Sequence, residues 1–344
     1  VTVTVFDLPG PRPTLADVAR VAGVSSATAS RVLNGFPQVR DQTRRRVEQA
    51  VGALGYVRQR GTRTVAGHRS TRSIAVAVGE DGPWSFSDPS FGRLVRGAGA
   101  ELARAGMQVV VLVVRSPKSA QVSAARYLSS GHVDGVLFVS THARYSVAMA
   151  GLAVPVVSAG RPLCGDATGV ACVDVDNRGG AAAAVQYLLD SGRRRIATVA
   201  GPKDTAPGQD RLAGYLEVVA EAGLYDPGLL AYGDFGQASG EHVTLRLLDR
   251  RPDVDAVFVA SDLMATGVLR ALRRTGRSVP GDVAVVGFGN APVAAATDPP
   301  LTTVSQPVEA LGAQAARELL AVLGGATGRP RVVLDTALVI RESA

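Results

Sequence analysis

The stretch "TLADVARVAGVSSATASRVLNG", residues 14–35, decides how the N-terminus folds. Leu15, Val18, Ala19 and Ala22 recur at the spacing of one helix face. Thr14 stands where an N-cap belongs, with Asp17 three residues on. Gly23 stops this helix and Val24 can plug the angle behind it. Ser25 then caps a second helix whose inner stripe is Ala29, Val32 and Leu33. The outer face of that helix holds Ala27, Ser30, Arg31 and Asn34, with Ser26 at its N-terminal tip. Two short helices around a tight turn predict a helix-turn-helix, in which the start of the second helix meets base edges in the major groove.

The side chains it offers are small. Ser25, Thr28, Ser30, Asn34 and Thr43 suit phosphate oxygens, because they donate hydrogen bonds without long, entropically costly stems. Ser26 and Ala27 have little reach. Direct readout therefore leans on the Arg31 fork, worth about 1–3 kcal/mol of discrimination at a guanine, plus a thymine-methyl contact from Ala27. The competing reading is a helical bundle that uses Ser and Ala for close packing. Charge decides between them. Between Arg12 and Arg72 there are 12 Arg against Asp17, Asp41 and Glu48, a local +9 in a chain of net charge +7. A basic segment on a near-neutral body is the footprint of a polyanion-binding module.

A third helix is expected with Thr43, Val47, Ala50, Val51 and Leu54 on one face and Arg44, Arg45 and Arg46 partly outside. "RQRGTRTVAGHRSTR", residues 58–72, has no strong period and reads as a linker. The character then changes. "SIAVAVG" (73–79) is a buried-strand run, and "MQVVVLVV", "VDGVLFVS", "VPVVSAG", "RIATVAG", "DAVFVAS" and "DVAVVGFG" follow it. Helical patterns intervene near 94–105, 180–189, 211–222, 263–273 and 308–323. This alternation predicts an α/β core of doubly wound parallel sheets, helices on both faces, in two similar halves around a cleft.

Other classes fit poorly. At 46% apolar and 19% charged residues the composition is that of a soluble globular protein. No apolar run approaches the length of a membrane span. Residues 1–13, "VTVTVFDLPGPRP", have neither the basic start nor the apolar centre of a signal peptide, and are expected to be a flexible arm of a cytoplasmic protein. Cys164, Cys172 and four scattered His match no zinc spacing and no disulfide framework, so no metal or cofactor is expected. "GFGNAP" has Pro292 where a dinucleotide fingerprint needs its third glycine. Nothing pairs Asp174, Asp176 or Asp262 as acid and base, so catalysis is not indicated. Ligands of such folds sit at the carboxyl ends of parallel strands. That directs attention to Trp84, Phe86, Phe91, Ser140, Asp176, the "GPKDTAPGQDR" loop, Ser261, Asp262 and Gly289.

Taken in order, "TLADVARVAGVSSATASRVLNG", "TRRRVEQAVGALGYV", "VDGVLFVS", "VDNRGGAAAAVQYLLDSGRRRIATVAGP", "RLAGY", "SDLMATGVLRALRRTG", "VPGDVAVVGFGN" and "PPLTTVSQP" resemble the LacI/GalR family of bacterial transcriptional regulators over residues 14–342. The resemblance implies a helix-turn-helix headpiece (14–57), a hinge (58–72) and a periplasmic-binding-protein-like core (73–344). It divides the core into an N-subdomain, about 73–170 plus 304–328, and a C-subdomain, about 171–303 plus 329–344. It also implies a homodimer on a palindromic DNA operator, with repression as output and a small-molecule effector, a sugar or related metabolite, in the cleft. The C-terminus shows no heptad tail after Ile340, which favours a dimer over a tetramer.

Carried onto this chain, Ser26, Ala27 and Arg31 fall at base-reading positions. Thr14, Ser25, Thr28, Ser30, Asn34 and Thr43 fall at phosphate-contacting or supporting ones, and Val65 at the hinge wedge. Phe91, Asp176, Arg211, Phe235, Ser261 and Gly289 match effector-contacting positions. Three departures stand out. The hinge has Val65 in place of leucine, and Gly61 costs its helix about 1 kcal/mol relative to Ala, so it is expected to order only on DNA. Gly289 replaces a strand-end carboxylate, and Ser261 stands where Asn or Asp is common. Asn290 and Trp84 are the residues expected to take over, unless the effector is not a simple sugar or the cleft binds none.

Overall fold

The computed structural model describes residues 15–33, 36, 39–54, 70–80, 89–115, 118–139, 142, 152–163, 170–328 and 331–344. The chain divides between residues 69 and 70 into two compact units. Thr14, Asn34, Val65, Trp84, Phe86 and Ser140, the arm 1–13 and hinge residues 58–69 fall outside the described residues.

In the first unit, helices α1 (Leu15–Ala22), α2 (Ser26–Leu33) and α3 (Asp41–Leu54) enclose Val18, Ala19, Ala22, Ala29, Val32, Val47 and Ala50. Val24 and Leu33 pack against that cluster, as their periodicity requires. The turn between α1 and α2 depends on Gly23, whose φ of +62° an L side chain rarely adopts. A Cβ there would also strike the Arg46 guanidinium. Arg46 Nη2 donates to the carbonyls of Ala22 (2.5 Å) and Gly23 (3.2 Å), so it caps the C-terminal end of α1 from α3. An arginine expected partly outside thus fixes the angle of the helix pair.

The second unit holds two six-stranded sheets. The first contains β1 (Ser73–Glu80), β2 (Gln108–Arg115), β3 (Gly135–Val139), β4 (Val156–Ala159), β5 (Ala171–Val175) and β11 (Arg331–Leu334), all parallel, in the order β11-β5-β4-β3-β1-β2. The second contains β6 (Ile196–Ala200), β7 (Leu230–Tyr232), β8 (Ala256–Val259), β9 (Ala284–Gly289), β10 (Thr302–Ser305) and β12 (Ala337–Val339), in the order β12-β10-β9-β8-β6-β7. Only β12 runs antiparallel to its neighbour.

Alternate strand residues feed opposite layers. In β8, Val257 and Val259 join one cluster with α8 (Gln237–Arg250) and α9 (Asp262–Arg274). Ala256 and Phe258 join another with α6 (Asn177–Asp190) and α7 (Ala206–Glu221). In the first sheet, α4 (Pro89–Arg104) and α10 (Val308–Leu323) cover one face, and Leu128 of α5 (Lys118–Ser129) packs on the other.

Three boundaries differ from the sequence reading. Strand β5 pairs in the first sheet, although 171 was expected to open the C-subdomain, and β11 also pairs there rather than in the second sheet. Strand β10 lies wholly in the second sheet, although 304 was expected to begin the return to the first. Sheet membership depends on pairing partners, which periodicity does not show. The linker also ends earlier than 72. Asp134 accepts hydrogen bonds from Ser70 Oγ, Thr71 N (2.7 Å), Thr71 Oγ1 (2.8 Å) and Arg72 N (2.9 Å), which ties residues 70–72 to the start of β3.

Candidate functional site

The outer face of α2 carries Ser26, Ala27 and Arg31, all exposed, on a helix held from behind by Ala29 and Val32. Ser25 Oγ accepts from Thr28 N at 3.1 Å and shares a hydrogen bond with Thr28 Oγ1 at 2.9 Å. It is thus the N-cap expected of it, and part of the hydroxyl capacity assigned to phosphate is spent inside the helix. Ser30 is half-buried on the same helix, and Thr43 is half-buried in the first turn of α3, where its N–H meets Arg40 O at 2.9 Å.

In the second unit a cavity of about 640 Å³ lies at the carboxyl ends of both sheets. Val78, Val139, Ala159 and Asp174 reach it from the first sheet; Phe235, Ser261 and Asp262 follow strands of the second, and Gly289 ends β9. This is where the doubly wound topology puts a ligand crevice.

Arg211 is its best-defined group. It is buried on α7, donating from Nε to Asn177 Oδ1 (2.9 Å) and from Nη1 to Ala260 O (2.6 Å). Its guanidinium lies 3.9 Å from the Phe288 ring centroid and 5.9 Å from that of Phe235. Asn177 in turn donates to Asp174 Oδ1 at 3.2 Å. Burial pushes the carboxyls of Asp174 and Asp262 above their ordinary values. Their hydrogen bonds (Val175 N and Arg161 N to Asp174, Thr303 Oγ1 and Ala291 N to Asp262) and the charge on Arg211 oppose that push. Phe235 has a φ of +70°, a left-handed backbone that a phenylalanine adopts only under constraint. Ser261 Oγ donates to the Phe235 carbonyl at 3.1 Å while capping α9 through Met264 N. The strained turn aims the ring into the cavity.

Six of the expected cleft residues line the cavity: Phe91, Arg211, Phe235, Ser261, Asp262 and Gly289. Asp176 and Asn290 are not among its lining residues. Asp176 is spent as the N-cap of α6, accepting from Gly179 N at 2.8 Å. Asn290 Oδ1 accepts from Arg341 Nη2 at 2.7 Å. A Cβ on Gly289, whose φ is +133°, would lie 3.2 Å from Asp262 Oδ2 and 3.7 Å from Gln306 Nε2. The buried Asp262 thus stands beside the space that Gly289 leaves. Asp174, Asn177, Arg161 and Gln306 also line the cavity and carry no distinguishing signal in the sequence.

The family model for bacterial regulatory proteins of the lacI family matches residues 14–59, and that for a periplasmic binding protein-like domain matches residues 185–344. The HTH-type transcriptional regulator CelR of Thermobifida fusca is 45% identical over 336 residues, covering 96% of this chain and 98% of that protein. The chain belongs to the LacI family. It is a DNA-binding transcriptional regulator, not an enzyme.

The HTH-type transcriptional repressor CytR of Escherichia coli K12 is 33% identical, with 96% of each chain covered. Among solved structures, the CelR–cellobiose complex superposes on this LacI-family regulator with a TM-score of 0.75 at 43% identity, covering 97% of this chain and all of that one. The Lac repressor dimer bound to operator and the anti-inducer ONPF gives 0.73 at 28% identity, over 97% and 99% of the two chains. Among the described residues of this regulator, no helix is long and apolar enough to cross a membrane, and no group of His, Cys, Asp and Glu could hold a metal ion.

Proposed function

We propose that this regulator is a cytoplasmic repressor that binds a palindromic operator as a homodimer and changes its operator affinity when a β-linked glucose disaccharide such as cellobiose enters the cleft. The observation that carries the reading is the cavity at the carboxyl ends of both sheets, with the buried Arg211 in its lining. Its volume lies in the range of small-ligand pockets. Phe91 and Phe235 offer rings to the apolar faces of pyranoses, and Asp174, Asp262 and Arg211 offer acceptors and donors to hydroxyls. Each hydrogen bond is worth about 0.5–1.5 kcal/mol net, more at a charged group. The complex of CelR with cellobiose supports this ligand class.

On the DNA side, Arg31 reads bases with Ser26 and Ala27, while Ser30, Thr43 and the Ser25–Thr28 pair meet phosphates. Dimerisation is supported by exposed Val111 and Val113 on edge strand β2, with Val122 and Tyr127 on α5, since an apolar edge is left open unless another chain covers it. The effector acts by linkage: it favours one arrangement of the subdomains, and a few kcal/mol of differential binding moves operator affinity by orders of magnitude.

Footprinting on the DNA upstream of the regulator's own gene tests this. A protected palindrome whose protection changes with cellobiose, and not with glucose, supports the reading. Protection indifferent to cellobiose, cellotriose and glucose alike refutes the ligand class.

A further inference from the structure

An ion pair and a His–Asp hydrogen bond join strand-end loops of the first subdomain to the segment that opens α7 in the second. Arg161, just beyond β4, donates from Nε (3.2 Å) and Nη2 (2.7 Å) to the two carboxylate oxygens of Asp210 on α7. His142, beyond β3, lies with Nδ1 3.0 Å from Asp204 Oδ2, and its backbone bridges antiparallel to Thr205. Arg161 and His142 both line the cavity. The forked geometry of the first pair, and the partial shielding of its side chains (22% and 29% exposed), set it apart from ordinary surface pairs. Neither contact is needed to complete a sheet, because both lie beyond the strands they follow. The cavity keeps about 640 Å³ with both pairs made, so the bridged arrangement leaves room for a ligand behind it.

We propose that Arg161–Asp210, backed by His142–Asp204, is a latch that holds the two subdomains closed over the cleft, and that a bound ligand leaves only when the latch opens. The second half rests on reading the cleft as the effector site; the closure itself does not. In this role Arg161 and Asp210 are positioning residues: they set the population of the closed core, and ligand affinity follows that population.

The test uses the full chain, spin-labelled across the cleft at Arg126→Cys and Arg246→Cys in a Cys164→Ser, Cys172→Ser background, with distances read by pulsed electron resonance without ligand. Arg161→Gln and Asp210→Asn should each add a longer-distance population, and the reciprocal exchange Arg161→Asp with Asp210→Arg should restore the short one. An unchanged distribution in both single variants overturns the latch. Cellobiose dissociation should be about threefold to tenfold faster in either single variant, no faster in the double neutralised variant, and near native in the exchange. Losses that add in the double variant, or that follow Arg161 alone, would mean that Arg161 touches ligand directly, and would overturn it too. If the native chain binds no cellobiose, the effector reading fails by itself and the distances still decide the closure.

Discussion

The headpiece and the core lie at opposite extremes of side-chain size. Among the described residues, the buried set of the headpiece contains nothing larger than Val, whereas the core buries Tyr215, Phe258, Phe288 and Met264. Small residues let three short helices approach closely, but they remove little apolar area from water, and small units are marginal for that reason. The core has the opposite capacity. Its interior shields Arg211, Asp174 and Asp262 and still satisfies them with hydrogen bonds. The DNA-binding unit is thus built on small side chains, and the core, the ligand sensor in the proposed function, tolerates buried charge.

Breaking the core side of this contrast should cost most. Arg211→Ala leaves Asn177 Oδ1 and Ala260 O without their buried donor, and should destabilise the core by roughly 3–5 kcal/mol in chemical denaturation. A loss under 1 kcal/mol would mean that the network is slack. On the headpiece, Arg31→Ala should reduce operator affinity about 100-fold, to the level of a scrambled duplex, while Ser26→Ala costs about threefold or less. Equal losses would refute that division of labour. Val47→Ala, which empties the centre of the small core, should cost about 2 kcal/mol and lower the headpiece transition while leaving the core transition in place.

The smallest effect is expected at Asp134, where the core grips residues 70–72. Burial alone would push this carboxyl up, but the hydrogen bonds from Ser70, Thr71 and Arg72 outweigh it and hold the carboxyl below its ordinary value. A carboxyl depressed in the folded state stabilises it above the unfolded value, near pH 4, and loses that contribution as pH falls through the folded value. Asp134→Asn should therefore flatten the acid limb of core stability below about pH 4 and change little at pH 7 beyond the lost acceptor. An unchanged acid limb would show that the grip contributes nothing.

How much of this the sequence shows follows from what each element hides. Parallel strands buried on both faces read as apolar runs, so β1, β2, β3, β4, β6, β8 and β9 were legible. Strand β5, "ACVDV", was not, because Asp174 interrupts it and becomes explicable only when its carboxylate is seen accepting Val175 N and Arg161 N. Helix α7 begins at Ala206, inside a stretch whose Pro and Gly look like loop; Thr205 as N-cap and Pro207 in the first turn are what start it. In the cleft, Arg211 and Phe235, which the family resemblance implies as effector contacts, both line the cavity. Asp176, implied by the resemblance, and Asn290, expected to take over from the missing carboxylate, are not among the lining residues; a helix cap and an arginine far along the chain engage their side chains. The latch pairs join residues distant in sequence and carry no local pattern at all.

The central claim is that a module that reads DNA is governed by a core that senses a sugar. Fluorescence anisotropy of a labelled operator duplex, titrated with native protein and with Arg31→Ala at fixed salt, with and without saturating cellobiose, tests it most directly. The account predicts that cellobiose shifts the native operator affinity at least about tenfold, and that Arg31→Ala binds cellobiose like the native protein yet gives no specific operator signal. Operator affinity that is the same with and without cellobiose would contradict it.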